Sequence, residues 1–419
     1  VGLSGKNARD IMNRRTFLQS TFAATIAASL PSFAADDRPP RILLRNGWQS
    51  VNIGDIAHPV GVLTLLEKYL PLAEIRLWPS ELGNGAAEML TKRFPKLILL
   101  TDQAAIATAK KECDFFLHGS SSGFAAEGHT SEWKKSGKPY GVYGISFLGG
   151  SAEAIDTLTR AKFVFFRDSV AMQLAKDKGV NCPIMEYGPD SAFGVTDLRN
   201  DAAATAFLKA HDLEEGKFLC CIPRYRWTPY WTIKKGRPLD EKKNARNQEM
   251  KEHDHAQLRN AIAAVVKETQ MKVLVCPEDM TQVELGKAMV FDPLPDEVKK
   301  RVVWRDRYWL TDEAVSTYVR STGLFGNEMH SPIMCIANSI PAIVCRFTEQ
   351  TTKGYMWRDI GLNDWLFDLD IEEEVAKIVP TVLAMAKDPA GAKAKAEKAR
   401  QFVVKRQEET MGVLKKSLP

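Results

Sequence analysis

The residues best suited to chemistry cluster in Gly326-Asn327-Glu328-Met329-His330-Ser331, between an apolar run, Gly323–Gly326, and a helix-like segment, Ser331–Asn338. Pro332 suits an early helical position, where its missing N–H is no loss. This places His330 and Ser331 at a helix N-terminus. An imidazole there can act as general acid or base, and the free N–H groups favour an anionic substrate. Glu328 is a candidate second acid. A second such junction is Asn52-Ile53-Gly54-Asp55. Gly54 permits an unusual backbone angle, and Asp55 is either a helix cap or a polar site group.

Other candidates also follow apolar runs. His118-Gly119-Ser120-Ser121-Ser122-Gly123 ends the run Cys113–Leu117. A loop of small residues can turn several N–H groups toward an oxyanion, but it lacks the Gly-Lys-Ser/Thr ending of a nucleotide-binding loop. Arg167 leaves Lys162–Phe166, and Asp190 follows Tyr187-Gly188-Pro189. Arg224 and Arg226 alternate with Tyr225 and Trp227, with Tyr230 and Trp231 close behind. Guanidinium groups and aromatic faces suit sugars with acidic substituents. Lys353 could join a cationic cluster with Arg167, Arg224 and Arg226 around His330. His253-Asp254-His255 reads as a helix cap at Asp254. No metal or resident cofactor is expected.

The elements carrying these loops alternate. Strand-like runs at Arg41–Leu44, Glu74–Trp78, Lys96–Leu100, Cys113–Leu117, Pro139–Ile145, Lys162–Phe166 and Cys182–Tyr187 alternate with helix-like segments. A second series contains Phe218–Ile222, Lys272–Cys276, Arg301–Trp304, Gly323–Gly326 and Pro341–Cys345. Continuous apolar strands between helices predict parallel sheets covered on both faces, here two doubly wound α/β domains. The boundaries read as 38–200 and 205–389, with a basic helix at 390–419.

Composition is that of a globular protein, 45% hydrophobic and 26% charged. The net charge of +5 sits at the ends. Residues 390–419 carry eight Lys/Arg against three Glu, read as a solvated helix face or a dock for an acidic glycan. The body is slightly acidic, which argues against nucleic acid as a partner. The seven cysteines form no CxxC pair and suggest no disulfide framework. Arg14-Arg15, an alanine-rich apolar run and Ser32-Phe33-Ala34 have the layout of a twin-arginine signal over residues 1–34, with Met12 as the start. It predicts an encounter with the twin-arginine export machinery, a periplasmic or extracellular mature protein, and no stable membrane span after cleavage.

Four segments together resemble the polysaccharide pyruvyl transferase family: NIGDIA (52–57), FLHGSSSG with GKPYGVYGIS (116–123, 137–146), AKFVFFRDSVAMQLAKDKGV with YGPDSAF (161–180, 187–193), and GNEMHSPIMCIANSIPAIV (326–344). The resemblance implies two Rossmann-like domains in a glycosyltransferase-B-like arrangement with a cleft between them. It also implies transfer of a pyruvyl group from phosphoenolpyruvate to a sugar of a polysaccharide. Carried over, Asp55 lies in the cleft, Arg167 and Asp190 line it, and His330 is the general acid. The family pattern has Arg two residues before this His; here Glu328 stands there, and a Glu repels phosphate and carboxylate. The expectations are therefore a pyruvyl transferase-like enzyme of envelope or extracellular glycans, a pyruvate-ketal hydrolase or trans-ketalase without phosphoenolpyruvate, or a non-catalytic glycan-binding protein.

Overall fold

The continuous apolar runs become buried parallel strands. In the computed structural model, which describes residues 38–419, the first sheet contains β1 (Arg41–Arg45), β2 (Glu74–Trp78), β3 (Ile98–Leu99), β4 (Phe115–His118), β5 (Tyr140–Ile145), β6 (Val164–Phe166) and β7 (Met185–Tyr187). Its order is β3-β2-β1-β4-β5-β6-β7. The second contains β8 (Phe218–Ile222), β9 (Lys272–Val275), β10 (Val302–Trp304), β11 (Gly323–Gly326), β12 (Ala342–Arg346) and β13 (Leu366–Asp368), ordered β10-β9-β8-β11-β12-β13. Residues 1–34, read from sequence as a twin-arginine signal, lie outside the described residues.

Both sheets reverse direction of growth at a central pair, β1/β4 in one and β8/β11 in the other. A crevice opens beyond the carboxyl ends of strands at such a switch point. The four loops leaving those strands are the ones holding Asn52–Asp55, His118–Ser120, Arg224 and Glu328–His330. β13 was not expected: its three residues carry too little apolar signal to stand out from the neighbouring turns.

The helix after β1 runs Ile53–Tyr69, with Pro59 inside it. Asn52 caps it, its Oδ1 accepting from the N–H of Gly54 at 2.7 Å and of Asp55 at 3.1 Å. Asp55 is therefore not the cap. The helix Glu241–Glu268 likewise places Asp254 in its interior, not at a cap. There Asp254 receives two hydrogen bonds from Arg226, at 2.8 and 2.9 Å.

The basic C-terminal segment forms the helix Pro389–Ser417, with lysines on a solvated face and an apolar face turned inward. It buries Ala396, Val403, Met411 and Leu414. Lys395 lies over the Trp365 ring beside the second sheet. Further along, Thr410 Oγ1 lies 3.1 Å from the Tyr143 hydroxyl and Arg406 donates to the Tyr187 carbonyl at 2.6 Å, both on the first sheet. One helix thus straps both halves. Three of its eight basic residues pair with acids, Lys395 with Asp364, Arg400 with Glu397 and Arg406 with Glu186, while Lys393, Lys398, Lys405, Lys415 and Lys416 face solvent. All seven cysteines are buried and unpaired. No helix of the described residues is long and apolar enough to cross a membrane.

Candidate active site between the two sheets

The Asn52 loop docks directly on the second half. The Ile53 N–H donates to the Glu278 carbonyl at 2.9 Å, and the Met280 N–H to the Val51 carbonyl at 3.0 Å. Thr311 Oγ1 donates to the Ile53 carbonyl at 2.9 Å. Gly54 has no left-handed angle; its role is close approach. A Cβ there would lie 2.3 Å from the His330 Cβ, so only glycine lets the two helix starts meet.

His330 opens the helix His330–Ala337. Glu278, just after β9, holds it: Oε1 lies 3.1 Å from His330 Nδ1, and Oε2 accepts from the Ser331 N–H at 2.7 Å. The helix start expected to bind an anionic substrate is thus already occupied by a carboxylate. Ser331 is further fixed by the Tyr318 hydroxyl, which donates to its Oγ at 3.1 Å. Burial, reinforced by the charges of Lys353 and His58, holds His330 well below the ordinary histidine value. It is therefore neutral at neutral pH. With its Nδ1 proton toward Glu278, Nε2 presents a lone pair, and this buried atom has no hydrogen-bond partner among the described residues. That arrangement is a base at rest rather than the expected acid.

Glu328 is not a free acid either. Arg224 Nη1 donates to Oε2 at 2.7 Å and Gln282 Nε2 to Oε1 at 2.7 Å. Burial raises both Glu278 and Glu328 above the usual carboxylate range, and Asp279, buried beside Glu328, rises to about 7. Lys353 is buried close enough to Arg224, Glu328 and Arg167 to feel their charges. Burial first, then Arg224, lowers its ammonium to about 8. It makes no salt bridge or hydrogen bond through Nζ among the described residues.

From the first sheet, Arg167 Nη1 donates to Asp190 Oδ2 at 2.7 Å and Arg167 Nε to Ser146 Oγ at 2.9 Å. His58 Nε2 lies 3.4 Å from the same Asp190 oxygen. The His58 and His330 rings meet edge to face, 4.8 Å between centroids. Burial works to raise Asp190, but His58 and Arg167 outweigh it and hold the carboxylate well below its usual range. The ligand atoms of His58, Asp190 and His330 lie within 4.8 Å of one another, the spacing of a metal seat. Arg167 already supplies the positive charge on Asp190 Oδ2, so no ion is required to explain the cluster. Asp55 is half-buried and its charge reaches His330, Tyr230 and Tyr308.

Three expected site residues lie elsewhere or face away. Arg226 is buried against Asp254, Glu349 and Asp370. His118 accepts from the Ala126 N–H at 3.1 Å, and burial lowers it to about 4. Gly119 spends its N–H on the Arg45 carbonyl and packs against the Asn46 side chain. Ser120 supports the site from behind, its Oγ accepting from the Ser191 N–H at 2.8 Å beside Asp190. Glu278, Gln282 and His58 were missed. Pro277-Glu278-Asp279 follows the end of β9, the one signal that could have flagged Glu278.

Two parallel-sheet α/β domains with functional loops at facing switch points define the glycosyltransferase-B-like class. Solved structures agree. The Anabaena protein HepE, solved with UDP-glucose, matches with TM-score 0.54 and 10% identity, over 90% of this chain and 100% of that one. A putative UDP-N-acetylglucosamine 2-epimerase from Listeria monocytogenes matches with TM-score 0.57 and 11% identity, over 89% and 95%. The S. aureus MnaA structure with UDP gives 0.53 and 9%, over 89% and 97%. At these identities the likeness is one of fold alone. The sequence matches the polysaccharide pyruvyl transferase family over residues 52–347, and the chain belongs to that family. Membership supports a pyruvyl transferase-like, glycan-modifying function. No protein of curated function matches the chain by sequence.

Proposed function

We propose that the chain transfers a pyruvyl group onto hydroxyls of an envelope or extracellular glycan, with His330 as its acid–base group. The observation that carries this is the cluster of buried nitrogens without hydrogen-bond partners: His330 Nε2, His58 Nδ1 and Arg167 Nη2. Buried polar groups are nearly always satisfied. Substrate hydroxyl and carboxylate oxygens are suited to complete them once the halves part to admit a substrate. His330 Nε2 takes the proton of the attacking hydroxyl as its oxygen bonds to the pyruvyl C2. Lys353 faces the pyruvyl carboxylate, and Asp55 a sugar hydroxyl.

The charge balance favours a particular donor. Arg224 and Arg167 are each matched by a carboxylate, leaving Lys353 as the unmatched cation of the cluster. One cation suits the single charge of a pyruvate ketal better than the several charges of phosphoenolpyruvate. A ketal holds C2 through two oxygens, so the exchange runs twice: each new C2–O bond forms as an old one breaks, and His330 returns the proton to each departing oxygen in turn. An exported protein would meet such ketals without a supply of phosphoenolpyruvate. The test gives the mature protein a neutral acceptor sugar with either phosphoenolpyruvate or a pyruvylated oligosaccharide. Pyruvate leaving the oligosaccharide, lost in His330→Ala, supports the ketal donor. Phosphate release with phosphoenolpyruvate alone restores the usual family donor. Turnover with neither removes the enzymatic assignment.

A further inference from the structure

A cavity of about 580 Å³ opens beside the buried site, lined by Arg224, Trp227, Tyr230, Trp231, Arg237 and Lys243. We propose that this cavity is a subsite for an acidic glycan chain, positioning the sugar to be modified. The proposal deepens the glycan-modifying assignment and rests on it for the identity of the reaction, not for binding.

Three observations support it. First, the cavity is continuous with the chemistry. Arg224 lines it, and its guanidinium bonds Glu328, two residues from His330. His330 itself is only 3% exposed, so this open flank is a natural approach for a polymer. Secondly, the cavity pairs aromatic faces with cations. Trp227 is 37% exposed, and Leu239 46%. Lys243 stands 5.1 Å over the Trp227 ring and Arg237 5.4 Å over the Tyr230 ring. Lys243 has Asp240 as its acid at 3.0 Å, whereas Arg237 makes no salt bridge among the described residues. Sugar C–H faces stack on aromatic rings, and an unmatched guanidinium suits a carboxylate substituent. Thirdly, the platform is held in place. The Trp227 N–H donates to Asn247 Oδ1 at 2.9 Å, and Asn247 Nδ2 returns a bond to the Trp227 carbonyl at 2.7 Å. Gln49 Nε2 donates to the Tyr230 hydroxyl at 2.9 Å from the other half of the molecule. These bonds fix the backbone of the platform, and such preorganisation lowers the cost of binding.

The test is direct binding, measured by calorimetry on full-length mature protein carrying His330→Ala so that no turnover intervenes. The probes are a galacturonate hexamer and neutral maltohexaose. The acidic hexamer is expected to bind tighter than the neutral one, and its affinity to fall with added salt. Trp227→Ala and Arg237→Ala are each expected to weaken it about tenfold. Thermal melts that match the parent show these exposed substitutions leave the fold intact. Hexamer binding that is absent, or unchanged in the double variant, overturns the subsite. So does a concentration-dependent increase in mass that Trp227→Ala abolishes, because the patch is then an interface between copies. If binding behaves as expected while no pyruvyl turnover is found with any donor, the subsite stands and the assigned reaction falls.

Discussion

Lys353 carries the clearest residue-scale consequence. Its ammonium is buried among charges and titrates at about 8, against an ordinary lysine near 10.4. A depressed folded value means stability is lost as pH falls toward 8 and stays lost below it. Lys353→Met is therefore expected to stabilise the ligand-free protein at pH 7, by roughly 2 kcal/mol, and by less at pH 10. Urea unfolding at the two pH values checks this. The same substitution should cut turnover at least a hundredfold if the ammonium holds the pyruvyl carboxylate. In the parent, kcat/KM should fall above about pH 8 as Lys353 loses its proton, and Lys353→Arg should remove that limb. Activity should persist below pH 6, because His330 stays neutral well under the usual histidine value. An acid limb near 6.5 would argue against His330 as the base.

Glycine sets the geometry at the scale of elements. Gly54 lets the helix Ile53–Tyr69 meet the start of the His330 helix, and Gly61 lets the same helix lie on the Ser191 carbonyl, 1.7 Å from where a Cβ would stand. Gly54→Ala must push the two helices apart, at a cost of about 1–3 kcal/mol, and should lower turnover more than substrate affinity. Thermal melts with kcat and KM measured together separate the two effects. Most of the fold was legible because buried parallel strands are continuous apolar runs, and the loops holding His330 and Asp55 because they leave those runs directly. Two things were not. Arg224 and Arg226 look equivalent in sequence, yet side chains two apart in a loop need not share a side, and one reaches Glu328 while the other is buried on Asp254. Glu278 has only its place just after β9 as a signal, and His58 has none. Their roles arise from contacts with His330 and Asp190, more than fifty and one hundred residues away in sequence.

For the whole molecule, the C-terminal helix decides how the halves hold together. Val403, Met411 and Leu414 are buried near its end, each worth roughly 1.5–3 kcal/mol of burial. Deleting residues 402–419 should lower the melting temperature by about 10 °C or more; an unchanged melt would show that the buried face of this helix contributes little to stability. Opening the cleft must bend or slide this strap while the contacts at Val51–Ile53 and Glu278–Met280 release. The buried thiols have a different consequence. Every cysteine is buried and none is paired, so the native state has no disulfide to lose in a reducing compartment. Cys220 and Cys276 are side-chain neighbours, and burial raises the Cys276 thiol, keeping it in its unreactive protonated form. The architecture therefore does not rest on a disulfide, whatever the redox potential around it.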